Sequence, residues 1–173
     1  MRHQKRQRGF SLIELLIVVA IILIIAAIAI PNLLRARIAA NQASAAAAIR
    51  TITTAEISYF SSFPTIGYAV QIQDLGKTAP CTPAPTTACL LDNAIANAVP
   101  GTAGHSGYQF LATGIAGGGV NSDFVAGTTP LTADKTGDED FCTVTDGTLR
   151  SQQTAGGLPP SDLATCQAYP IAH

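Results

Sequence analysis

Apolar residues fill positions 10–30 on every side of a helical wheel, whereas polar ones share the face from position 31 onward. Residues 10–30 make 21 positions, of which fifteen are Leu, Ile, Val or Phe and one, Glu14, is charged. At about 1.5 Å per residue, a helix of this length spans roughly 31 Å, matching the roughly 30 Å hydrocarbon layer of a bilayer. At roughly −0.5 kcal/mol each, the fifteen large apolar side chains favour insertion by about 7 kcal/mol, and Glu14 near the end opposes it by less than about 3 kcal/mol. Insertion is therefore expected. The run is longer than the apolar core of a secretory signal peptide and contains a charge, which sets that reading aside despite the cleavage-like Ala27-Ile28-Ala29.

Beyond Pro31 the pattern changes. Residues 32–63 are Ala-rich, with Ile38, Ile49, Ile52, Tyr59/Phe60 and Phe63 near helical spacing. One helix from about Phe10 to Ser62 is expected, bent at Pro31, which has no amide proton to donate and clashes with the preceding turn. Pro64 and Gly67 should end it. Residues 64–106, rich in Pro, Thr, Ala and Gly, read as a loop-rich connection with a short helix near residues 90–98. Strand patterns follow at Gly107-Tyr108-Gln109-Phe110-Leu111-Ala112, Asp123-Phe124-Val125-Ala126 and Phe141-Cys142-Thr143-Val144, with turn signals at Gly117-Gly118-Gly119 and Asp146-Gly147. The expected fold class is α+β: a long N-terminal helix packed on a small antiparallel sheet of three or four strands, with the sheet and C-terminal tail in residues 107–173.

Charge sharpens the picture at the N-terminus. Arg2, Lys5, Arg6 and Arg8 precede the apolar run, and this block should hold the N-terminus in the cytoplasm. The chain has ten basic and eleven acidic residues; without residues 1–9 the balance is six against eleven, a net of −5. That mildly acidic remainder argues against nucleic-acid binding.

The residues Gly9-Phe10-Ser11-Leu12-Ile13-Glu14-Leu15-Leu16, with Pro31 further on, resemble the prepilin N-terminus of the type IV pilin and type II secretion pseudopilin family. The resemblance implies a type IV pilin-like fold and a leader, residues 1–9, cut between Gly9 and Phe10 by a prepilin peptidase. The same enzyme would N-methylate Phe10. A glycine before the scissile bond suits this, because its backbone can approach an enzyme closely. Residues 10–30 then form the transmembrane and filament-core half of the helix, and 31–63 the amphipathic half. The new amine at Phe10 is costly to bury without a counter-charge. The resemblance assigns that counter-charge to Glu14 of a neighbouring subunit, so that the pair sets the stagger of the helices. It implies a homo-oligomeric filament, membrane lipid around the subunit before assembly, an inner-membrane platform protein and a cytoplasmic assembly ATPase. The location implied is the bacterial inner membrane, single-pass, then an extracellular pilus or a periplasmic pseudopilus. Residues 107–150 resemble the sheet of pilins close to the major pseudopilin, whereas the insert at 64–107 departs from the shortest pseudopilins. A membrane-tethered binding domain that never polymerises is the rival from another class.

Four cysteines in an exported domain suggest disulfides, and sequence alone leaves three pairings open. The resemblance implies a staple of the C-terminal region, Cys142–Cys166, together with Cys81–Cys89 closing the Pro/Thr-rich insert. Their spacing does not suggest zinc. No catalytic constellation emerges from His3, His105 and His173, and Gly117-Gly118-Gly119 leads into Val120 rather than a phosphate-binding Lys-Ser/Thr pair. No enzyme activity and no resident cofactor are expected. An acidic stretch, Asp134, Asp138, Glu139 and Asp140 with Asp123 and Asp146 on either side, could hold calcium through Asp138, Asp140 and Asp146, but it lacks EF-hand spacing and reads first as a solvated loop.

Overall fold

A computed structural model describes residues 10–77, 79–154 and 156–172. Helix α1 (Leu12–Ser62) includes Pro31, and helicity continues on both sides of it. The chain divides within α1 into two units, whose described residues run through position 36 and from position 37 onward.

In the first unit the described residues are almost all exposed, because the apolar side chains cover every face of the helix and leave none for a partner within the chain. Large side chains from Phe10 to Leu34 stand open. Among the described residues, α1 is the one helix long and apolar enough to cross a membrane.

In the second unit, α1 buries one stripe: Ala45, Ala48, Ile49, Ile52, Ala55, Glu56 and Tyr59. These positions recur at three- and four-residue intervals, which puts them on a single helical face. The opposite face carries hydroxyls bonded to the helix itself. Thr51, Thr54, Ser58, Ser61 and Ser62 each donate to the carbonyl four residues back. After Ser62 the chain turns at Gly67, whose φ of +89° suits glycine and whose backbone pairs closely with Asn121.

Four antiparallel strands follow in sequence order: β1 (Tyr108–Gly117), β2 (Val120–Pro130), β3 (Glu139–Val144) and β4 (Arg150–Gln153). Register aligns Phe110 with Thr128, Ala112 with Ala126, and Val125 with Val144. Because successive strand residues point to opposite faces, the sheet has two cores. Tyr108, Phe110, Ala112, Phe124, Ala126 and Phe141 join the α1 stripe. Val125, Cys142 and Val144 face the C-terminal tail, where Cys166, Tyr169 and Leu163 cover them.

The tail is held by several bonds. Helix α3 (Leu163–Ala168) is capped by Asp162, which accepts from the Thr165 N–H at 2.8 Å. Ser151 N–H donates to the Pro170 carbonyl, and Ala172 N–H to that of Leu149, so the tail closes the outer edge of β4. The connection before the sheet is more ordered than its composition suggests. It contains a 3-10 turn (Ile72–Leu75) and helix α2 (Asn93–Ala96), shorter than the helix expected near residues 90–98. It also supplies Ala69, Ile72, Leu75, Ala88, Leu91, Ala96 and Ala98 to the α1-side core.

Candidate assembly segment

Gly9, one side of the expected cleavage site, lies outside the described residues. Phe10, on the other side, is 80% exposed. Ser11 N–H donates to the Glu14 carboxylate at 2.9 Å, and the Ser11 carbonyl accepts from Leu15 N–H at 3.2 Å. This is half of a capping box: a Ser opens the helix and a Glu three residues later reaches back to satisfy its free N–H. The carboxylate also stands where the helix dipole favours negative charge. Glu14 therefore has a local partner at one oxygen while its side chain remains exposed. The Ser-x-x-Glu spacing was visible in the sequence.

Cys81 is bonded to Cys89, with Cα atoms 6.2 Å apart, and Cys142 to Cys166, with Cα atoms 5.8 Å apart. The first bond closes the Pro/Thr-rich segment, which Tyr59 fixes to α1 by donating its hydroxyl to the Pro85 carbonyl at 2.8 Å. The second ties α3 to β3.

The acidic residues do not converge. Asp138 accepts from the Gln42 side-chain amide on α1. Asp140 is buried and accepts from the Thr129 hydroxyl at 2.5 Å. Asp146 pairs with Arg150 at 2.5 Å and also accepts from the Thr148 N–H. The Arg150 hydrogen bond holds the Asp146 carboxyl below its ordinary range. Among the described residues no group of three His, Cys, Asp or Glu side chains is placed to hold a metal ion. Asp138, Asp140 and Asp146 thus serve as separate structural acceptors, because each is drawn to a different neighbour. Three carboxylates, Asp138, Asp140 and Glu139, act on one phenol. Burial first, then Asp138, Asp140 and Glu139, raise the pKa of the Tyr108 hydroxyl, which donates to the Glu139 carbonyl at 3.0 Å.

Glu56 is the residue the apolar pattern passed over. It is fully buried, its Oε2 accepts from the Ala69 N–H at 2.9 Å, and its Oε1 has no partner among the described residues. Its spacing from Ile52 and Tyr59 already placed it on the buried stripe.

An exposed apolar segment of membrane length leads into a helix-on-sheet domain with a stapled tail, an α+β architecture consistent with the type IV pilin fold. The prokaryotic N-terminal methylation motif matches residues 4–30. The type IV major pilin protein PilA of Myxococcus xanthus is 50% identical over 60 residues, which is 35% of this chain and 27% of that protein. The type IV wide pilus major component PilA4 of Thermus thermophilus is 65% identical over 37 residues, or 21% of this chain and 28% of that protein. The matched stretches span little more than a quarter of either relative's length. No solved structure matches the chain. This chain is thus similar to type IV major pilins over part of its length.

Proposed function

We propose that this chain is a structural subunit of a helical type IV pilus-like filament. Prepilin peptidase cuts between Gly9 and Phe10 and N-methylates Phe10. The subunit waits in the inner membrane with its N-terminus on the cytoplasmic side, and a platform protein and an ATPase then drive its assembly. The observation that supports this most is the first half of α1: a helix of lipid length, open on every face, with one carboxylate at its start. Such a surface must be covered, first by lipid and then by other copies, because exposing it to water forfeits about 25 cal/mol per Å².

Glu14 has a distinct role in each setting. In the single chain it accepts from the Ser11 N–H, which reduces the cost of carrying it in lipid. In the filament it meets the Phe10 amine of another copy and fixes the stagger, a register role for a buried ion pair. Pro31 marks the change from the all-round apolar half of α1 to the half that buries a stripe. The named relatives are pilus components, which favours a surface pilus over a type II secretion pseudopilus.

Electron microscopy of cells carrying Glu14→Gln tests the assembly role. Gln can still accept from the Ser11 N–H, so the variant removes charge and keeps the cap. The expected result is normal membrane insertion with no surface filaments. Filaments in normal yield would remove the assembly role of Glu14. Deletion of the chain should abolish surface filaments; intact filaments with loss of protein secretion would assign it to a pseudopilus.

A further inference from the structure

The carboxyl of Glu56 sits where three parts of the domain meet. Its Oε2 accepts from Ala69 N–H, and the carbonyl of the same Ala69 accepts from Gly114 N–H of β1 at 2.8 Å. One side chain on α1 thus anchors the start of the connection, and through it the sheet. Glu56 has no exposed surface, and its Oε1 finds no donor or acceptor among the described residues.

The groups around it are no help to a negative charge. Asp74, on the 3-10 turn and itself mostly buried, opposes ionisation. The phenols of Tyr59 on α1 and Tyr68 in the connection are electrostatically coupled to it and are neutral in the ordinary pH range. The strand it reaches, β1, contributes Tyr108, whose hydroxyl is engaged at Glu139. Among the described residues the one ion pair is Arg150–Asp146, so no cation is paired with Glu56. A buried carboxylate without a cation is costly, whereas a neutral carboxylic acid keeps the acceptor that Ala69 needs.

We propose that Glu56 is a proton-held latch: protonated, it joins α1, the connection and β1, and alkalinisation ionises it and loosens that junction. Burial, which outweighs the Ala69 hydrogen bond, raises its pKa from an ordinary 4.5 to about 8, with Asp74 adding to the rise. The sign follows from linkage. A group whose folded-state pKa lies above its unfolded value contributes stability that is complete below the unfolded pKa and is lost as pH rises through the folded one. The affected window therefore runs from about 4.5 to about 8. The latch works in the opposite direction to the common acid-labile carboxylate.

Denaturant unfolding of the full chain in detergent micelles, at pH 5, 7 and 9, tests the latch against Glu56→Gln. Gln keeps an acceptor for Ala69 and cannot ionise. The wild-type unfolding constant is expected to rise at least ~10-fold more than that of the variant across this range. Parallel profiles would overturn the latch. A direct titration covers the case in which Glu56→Gln does not fold. The chain has three glutamates, Glu14, Glu56 and Glu139, so carbon NMR of labelled Glu carboxyls can follow each one. The latch requires one signal to titrate above about pH 7 and its midpoint to fall in Asp74→Asn; three midpoints in the ordinary range near 4.3 would refute it.

Discussion

The two halves of α1 are built from similar helix-forming residues but meet their surroundings differently. In residues 12–36, Leu, Ile and Val occupy all faces and remain exposed; in 37–62, Ala, Ile and Tyr occupy one stripe and are buried against the sheet. The described residues of the first half have no core within their own chain, and their cover in the proposed function is lipid or other copies. The second half is the floor of a domain that covers it. The change occurs within one helix, so apolar patterning, and not secondary structure, marks where the membrane segment stops. Pro31 lies near this change and does not end the helix.

Substitutions should separate the halves. Phe110→Ala empties a fully buried site on the helix-facing side of the sheet and should cost the domain about 3–5 kcal/mol in chemical denaturation. Membrane insertion, measured by fractionation, should be unaffected. Ile22→Arg is the converse: it replaces a favourable residue mid-span and should weaken insertion by about 3 kcal/mol, while the melting of the domain stays in place. A mutation in either half that damaged both readouts would break the distinction.

Within the domain, the two disulfides offer a finer contrast. Cys142–Cys166 closes 24 residues and Cys81–Cys89 closes 8. Loop-closure entropy gives about 3 kcal/mol or slightly more for the longer loop and less for the shorter. Paired Ser variants should follow that order in thermal melts. The smallest effect is expected at the sheet's rim. Asp146→Asn breaks a partly exposed ion pair and should cost less than about 1 kcal/mol. Adding millimolar calcium is expected to leave the melting curve in place, since the carboxylates named as a calcium set are not grouped.

The sequence made some of this legible for physical reasons. Residues 10–30 announce themselves because lipid imposes a length and a composition. Tyr108, Phe110 and Ala112 do so because one sheet face must be apolar in alternation. β4 was obscure: its residues Arg150-Ser151-Gln152-Gln153 carry no apolar pattern, and it is a strand because β3 pairs on one side and the tail closes the other. β1 and β2 run on past their apolar cores, to Gly117 and from Val120, for the same reason, held by pairing with each other. The connection reads as loop because Ala69, Ile72 and Leu75 have no periodic neighbours; their burial depends on the shape of the α1–sheet core. Glu14 and Pro31 stand out in the apolar run, whereas the Ser11–Glu14 cap and, further along α1, buried Glu56 are legible only from their spacing.

The claim that the first half of α1 is a processed filament segment is tested most directly by the mass of the N-terminal peptide of protein isolated from the producing cell. The account predicts a chain that begins at Phe10 and carries one methyl group on its amine. A mature protein that retained residues 1–9 would contradict it.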